Sequence, residues 1–172
     1  LELAREIVRR FNNLFGNTFP EPEAKLTSFP LILGLDGKEK MSKQAGNAIE
    51  IALSDEETIE RIKTAVTDPA RKYRDDPGHP EICNIYQLQK YFNPFQLDDI
   101  ARQCRSAKIG CIDCKLLLAQ EINSALRPFR EQRAALAAKP RYITDVLADG
   151  ADRARVIARE TLMEIKQKMG LI

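Results

Sequence analysis

No apolar run in these 172 residues approaches the ~18 that a bilayer-spanning helix requires, so no membrane span is expected. The first segment does not read as a secretory leader either, because Arg5, Glu6, Arg9 and Arg10 interrupt its apolar residues. Histidine occurs once, at His79 in a Pro/Gly turn, and reads as a surface residue and not a catalytic base. Repeats and low-complexity tracts are absent. Neither sign of charge dominates overall: 27 Lys and Arg face 25 Asp and Glu, a net of +2. What is present is an ordinary globular composition, 44% hydrophobic and 30% charged, in a chain long enough for one or two domains. The chain opens on Leu1, and we expect a piece of a longer protein whose upstream half precedes it.

The near-neutral total hides an asymmetry. Residues 1–99 carry 13 basic against 17 acidic residues, a net of −4, whereas residues 100–172 carry 14 against 8, a net of +6. A basic second half suits a polyanion such as RNA, and equally a helix surface laced with ion pairs.

Helical spacing of Leu3, Ile7, Val8, Phe11, Leu14 and Phe15 predicts a first helix stopped at Gly16. Residues 17–30 hold three prolines and read as loop, and Leu31-Ile32-Leu33 reads as a short buried strand. Ser54 and Glu57 form a capping box for a helix to about Val66. Residues 67–80 are a turn-rich connector. Beyond it only helical periods occur, over 81–92, 95–107, 112–138, 140–148 and 150–169, with Pro128 expected to kink the third or start a new helix near Arg127. The fold expected is mainly α. A residual edge of a Rossmann-like α/β domain, residues 1–67 with one short strand, precedes an all-helical domain, residues 68–172.

Between the strand and the capped helix lies Gly34–Ile49, GLDGKEKMSKQAGNAI, with Lys38, Lys40 and Lys43 inside six residues. Most such runs are solvated charge. Here Met41 places an apolar anchor within the run, and Gly34, Gly37 and Gly46 permit backbone angles that let the segment move as a unit. Compact ammonium groups on a mobile loop suit a phosphate whose charge appears during part of a reaction.

All four cysteines fall between 83 and 114 in the pattern C-x20-C-x6-C-x2-C. Four thiolates satisfy a tetrahedral zinc or a [4Fe–4S] cube. Disulfides are disfavoured in a chain without an export signal, and buried free thiols are the ordinary alternative. Zinc ribbons show two close pairs and this chain has one, which favours iron–sulfur with zinc still open. Arg102, Arg105, Lys108 and Lys115 flank the thiols, where they can offset cluster charge or meet RNA phosphates.

GLDGKEKMSKQAGNAI resembles the KMSKS loop of class I aminoacyl-tRNA synthetases. LELAREIVRRFNNLFG, TDPARKYRDDPGHPEICNIYQL, GCIDCKLLLAQEIN, LRPFREQR and GADRARVIARETLMEIKQKMGL extend the likeness to tryptophanyl-tRNA synthetases across the whole chain. The resemblance implies a ligase that joins tryptophan to ATP and then to tRNA(Trp), in a cytoplasmic homodimer that needs Mg²⁺. The upstream half with the HIGH-type motif is missing, so the piece alone is expected to be inactive. Lys40 and Lys43 match the motif's lysines and are the expected catalytic residues, and Gln44 replaces its final serine. Leu31, Lys40, Met41, Ser42, Lys43 and Gln44 would contact ATP. Some bacterial members bind a [4Fe–4S] cluster near the anticodon site, which implies Cys83, Cys104, Cys111 and Cys114 as ligands. The domain from about residue 68 would read the anticodon, with Arg102, Arg105, Lys108 and Lys115 as tRNA contacts and Arg127, Arg130 and Arg133 as weaker ones. A tyrosyl-tRNA synthetase, or a non-catalytic RNA-binding or iron–sulfur module that inherited the loop, is the alternative.

Overall fold

A computed structural model describes residues 1–172 as a mainly helical protein with helices α1 (Glu2–Phe15), α2 (Asp55–Lys63), α3 (Asn84–Phe92), α4 (Leu97–Arg105), α5 (Cys111–Ala137) and α6 (Pro140–Lys168). Short 3-10 turns, Pro80–Ile82 and Pro94–Gln96, lead into α3 and α4, each opened by a proline whose missing N–H costs nothing at a first turn. The Ser54 capping box forms as expected: Ser54 Oγ accepts from the Glu57 amide, and the Glu57 carboxylate accepts from the Ser54 amide.

Three expectations change. Leu31–Leu33 forms no strand, only an isolated antiparallel bridge from Leu33 to Lys40, because no second strand exists here to pair with it. Helix α5 runs through Pro128, so no new helix starts near Arg127. The carbonyl that loses its donor belongs to exposed Ser124 and reaches water. Residues 140–168 form one helix and not two, since Gly150 sits inside it with open space around it. A mid-helix glycine lowers stability by only about 1 kcal/mol.

The chain divides into two compact units, Phe29–Ala134, and Leu1–Ser28 with Ala135–Ile172. The larger unit holds the core: Leu35, Ile62, Ala65, Cys83, Ile85, Leu88, Leu118, Ala119 and Ile122. This core draws on residues either side of position 67/68, so the expected boundary falls within the unit. Arg130 of α5 knits it further, donating to Asp55 Oδ1 at 2.6 Å, Asn123 Oδ1 and Thr58 Oγ1 at 2.9 Å, and the Ile51 carbonyl at 3.1 Å. The smaller unit buries no side chain of α1 or α6 fully. Asn12 ties its turn by accepting from the Thr18 and Phe19 amides and donating to the Phe19 carbonyl. Phe11 meets Phe15 at a tilt and Phe19 edge-on, with centroids 4.9 and 5.2 Å away. No helix is long and apolar enough to cross a membrane.

Candidate functional site

The lysine loop begins where the bridge ends. The Met41 amide donates to the Ile32 carbonyl at 2.9 Å, and the Gly34 amide to the Glu39 carbonyl at 2.8 Å. Asp36 closes the intervening turn by accepting from the Lys38 and Glu39 amides at 3.1 and 3.4 Å, with Gly37 at φ 66°. Beyond Met41 the tip is exposed from Lys43 to Gly46, which turns at φ 65°. The Gly46 amide donates to the Lys43 carbonyl at 3.2 Å, and the Gln44 amide to Ser42 Oγ at 3.2 Å. Lys40 and Lys43 are exposed, and neither enters an ion pair.

The loop is braced more firmly than its glycines suggest. Asn47, 5% exposed, accepts at Oδ1 from the Ser42 amide at 2.8 Å. Its Nδ2 donates to Asp36 Oδ2 at 3.0 Å and to the Lys40 carbonyl at 3.3 Å. That donation, with the backbone amides of the turn, holds the Asp36 carboxyl below its ordinary value. Gly34 is a packing glycine and not a hinge: a Cβ there would overlap the Asn47 side chain. The Val66 amide, just past α2, donates to the Leu35 carbonyl, and Arg61 of α2 donates to the Ala48 and Gly46 carbonyls, so α2 and the segment that follows it hold both ends of the loop. Met41 packs against the core as the expected apolar anchor. Its amide is already taken by Ile32, and the Leu31 carbonyl accepts from Tyr91 Oη at 3.4 Å.

The thiols occupy one neighbourhood. Cys83 is buried at the start of α3, Cys104 lies near the end of α4, and Cys111 and Cys114 share the first turn of α5. All four are free. Burial pushes the Cys114 thiol up to about 12; donation from Gln89 opposes this, while the like charges of Cys83, Cys104 and Cys111 add to it. Burial also raises the Cys104 thiol, against the pull of Arg71. N–H donors already point at sulfur: Arg71 Nη1 at 3.9 Å from Cys104 Sγ, and Gln89 Nε2 at 3.7 Å from Cys114 Sγ. Arg71 Nε and Gln89 Oε1 are buried beside them without partners, and a Cβ at Gly78 would overlap Cys104 Sγ. No three His, Cys, Asp or Glu side chains stand close enough to hold one metal ion.

A sequence profile described as "tRNA synthetases class I (W and Y)" matches residues 1–127. The chain belongs to that family. Among curated relatives, a tryptophan–tRNA ligase of Deinococcus radiodurans is 43% identical over the whole chain, which covers 53% of the relative. One from Thermotoga maritima is 40% identical with the same coverage. The crystal structure of tryptophanyl-tRNA synthetase from Campylobacter jejuni complexed with ADP and tryptophan superposes with a TM-score of 0.79 at 32% identity, over 98% of this chain and 53% of that one. The chain thus spans about half the length of the relatives it matches.

In this class I synthetase chain the expected RNA-facing cations part company. Arg102 pairs with Asp99, and Arg105 with Glu81, all on the surface. Lys108 is exposed. Lys115 is not a surface cation: it is 8% exposed, and its ammonium donates to the Lys63 carbonyl at 2.7 Å. Burial lowers its pKa while the neighbouring Cys111 and Cys83 pull it back. Arg130 is likewise spent inside the fold, in the clamp on Asp55, Asn123, Thr58 and Ile51. Asn47, Arg61, Arg71 and Gln89 were not foreseen from sequence. Only Asp36-Gly37 carried a local sign, the short polar residue before glycine that marks such a turn.

Proposed function

We propose that the chain is the carboxyl-terminal part of a tryptophan–tRNA ligase, supplying the pyrophosphate-binding loop and the helices that inspect tRNA(Trp). The observation that carries this reading is the pair of unpaired ammonium groups, Lys40 and Lys43, on a loop braced from both ends, in a chain whose curated relatives are tryptophan–tRNA ligases. In the first step the tryptophan carboxylate attacks the α-phosphorus of ATP in line, and negative charge builds on the departing pyrophosphate. Such transfers rely on positioning and electrostatics. Cations that meet the growing charge more strongly than they meet bound ATP lower the barrier itself. Lys40 and Lys43 take that role, with Mg²⁺ neutralising the remaining phosphate charge. Ser42 and Gln44, on either side of Lys43, contact the phosphates. Met41, packed against the core, holds the loop near the nucleotide, and Leu31 adjoins it. In the second step tryptophan passes to the terminal adenosine of the tRNA. Arg102, Arg105 and Lys108 meet RNA phosphates, the first two by exchanging surface carboxylates, pairs that are weak in water.

The four cysteines hold a [4Fe–4S] cluster in this reading. Supporting it are the shared neighbourhood of the thiols, the N–H groups aimed at sulfur, and the unpartnered Arg71 Nε. The cluster would lock the α3, α4 and α5 termini together, and Arg71 and buried Lys115 offset its negative charge. The whole enzyme acts as a cytoplasmic homodimer.

Lys43→Ala in the whole enzyme is expected to slow ATP–pyrophosphate exchange roughly 10²–10³-fold, the value of one preorganised donor. An unchanged rate sinks the loop assignment. Anaerobic purification with iron, sulfide and zinc analysis tests the cluster: four irons per chain support it, and stoichiometric zinc removes it.

A further inference from the structure

We propose that Asn47 is a positioning residue for Lys40 and Lys43, its buried amide clamping the backbone on both sides of Met41. The inference rests on the pyrophosphate-loop reading above.

Asn47 uses every polar atom of its side chain. Oδ1 accepts from the Ser42 amide at 2.8 Å, and the two N–H groups serve Asp36 Oδ2 at 3.0 Å and the Lys40 carbonyl at 3.3 Å. The Lys40 carbonyl and the Ser42 amide bracket Met41, so one side chain fixes the direction of both peptide groups around it. Lys40 carries the first of these groups, and Lys43 follows immediately after the second. The directions in which both side chains leave the backbone are therefore set by an amide that is 5% exposed. The surroundings are shaped to hold it. Gly34 lacks the Cβ that would overlap it, and the Asn47 carbonyl accepts from the Leu35 amide at 2.8 Å.

The side chain makes two separable kinds of contact. Donation to Asp36 braces the fold of the turn, whereas the contacts with Lys40 and Ser42 aim the lysines. Aspartate at 47 can still accept from Ser42 but cannot donate, so it sets a carboxylate against Asp36 and against the Lys40 carbonyl. Adding Asp36→Asn restores a donor to that carboxylate and leaves the Lys40 carbonyl facing an acceptor. The single and double variants thus divide bracing from aiming.

In the whole enzyme, Asn47→Asp is expected to lose thermal stability and to lower kcat of pyrophosphate exchange about tenfold, the equivalent of one lost hydrogen bond in the transition state. The KM for ATP should stay within about twofold, because the loss falls on the transition state. Asp36→Asn with Asn47→Asp should recover the melting temperature while kcat stays low. Asn47→Ala, which removes the clamp without adding charge, should show the same kcat loss. Recovery of kcat together with stability in the double variant, or normal kcat in either single variant, overturns the proposal. Lys43→Ala measured alongside separates the two ideas. If that variant is slow and the Asn47 variants are not, only the positioning role fails; if it is normal, the loop reading fails with it.

Discussion

Replacing Arg130 by alanine removes the clamp that α5 places on α2. The Arg130 side chain is 15% exposed, and its guanidinium bonds four groups, each left in a different state. Asn123 is 5% exposed, and its Oδ1 loses its partner. A buried acceptor stranded in this way costs about 1–3 kcal/mol. Asp55 is half exposed, so the ion pair at 2.6 Å contributes only about 0–1 kcal/mol after solvent screening. Thr58 Oγ1 keeps its donation to the Ser54 carbonyl, and the exposed Ile51 carbonyl turns to water. With the lost packing of the side-chain stem, the total is roughly 2–4 kcal/mol. For a chain of this length that is about 4–16 °C in melting temperature. Urea titration and thermal melts followed by circular dichroism measure it. Arg130→Lys, which restores a charge near Asp55 but not the fork, should fall between. A loss below about 1 kcal/mol, within the range of ordinary surface changes, would refute the clamp and return Arg130 to the RNA-facing set. Unaltered tRNA affinity of the folded variant checks the same point from the other side.

Gly34→Ala should destabilise by about 1–3 kcal/mol through overpacking against Asn47, and thermal melts check it. Ala107 sits at φ 56°, with the Lys108 amide bonded to the Gln103 carbonyl and the Ala107 amide to the Cys104 carbonyl, a Schellman ending that normally uses glycine. Ala107→Gly should therefore stabilise by about 0.5–1 kcal/mol, and a lower melting temperature would contradict the strain. For Asp68, 3% exposed, burial works to raise the carboxyl pKa, but hydrogen bonds from the Ala70 amide, the His79 ring and the His79 amide outweigh it and leave the pKa lowered. A depressed folded-state value means the carboxylate stabilises the fold above its unfolded pKa of about 4 and ceases to as pH falls through the lower folded value. Asp68→Asn should melt below the wild type at pH 7, and the gap should close on acidification; a constant gap would exclude the linkage.

Helix positions were legible in the chain because their causes are local. The apolar spacing before Gly16, the Ser54–Glu57 box and the prolines at 80, 94 and 140 each act within one or two turns. The lysine loop was legible for the same reason, since its chemistry is written in consecutive residues. Pro128 started no new helix and Gly150 divided none, because one lost backbone hydrogen bond or one flexible residue costs less than ending a long helix would. The roles of single polar residues were not readable. Arg130 and Lys115 looked like surface cations until folding set carbonyl and carboxylate acceptors from 50 or more residues away against them. Nothing local singled out Asn47, whose role arises because the fold brings Asp36 within 3.0 Å. The sequence by itself determined where the chain turns helical and which residues carry thiol and ammonium groups. Only the tertiary structure decided which of those charges stay free to meet a ligand. A cation's availability depends on whether distant backbone surrounds it, and local pattern holds no record of that.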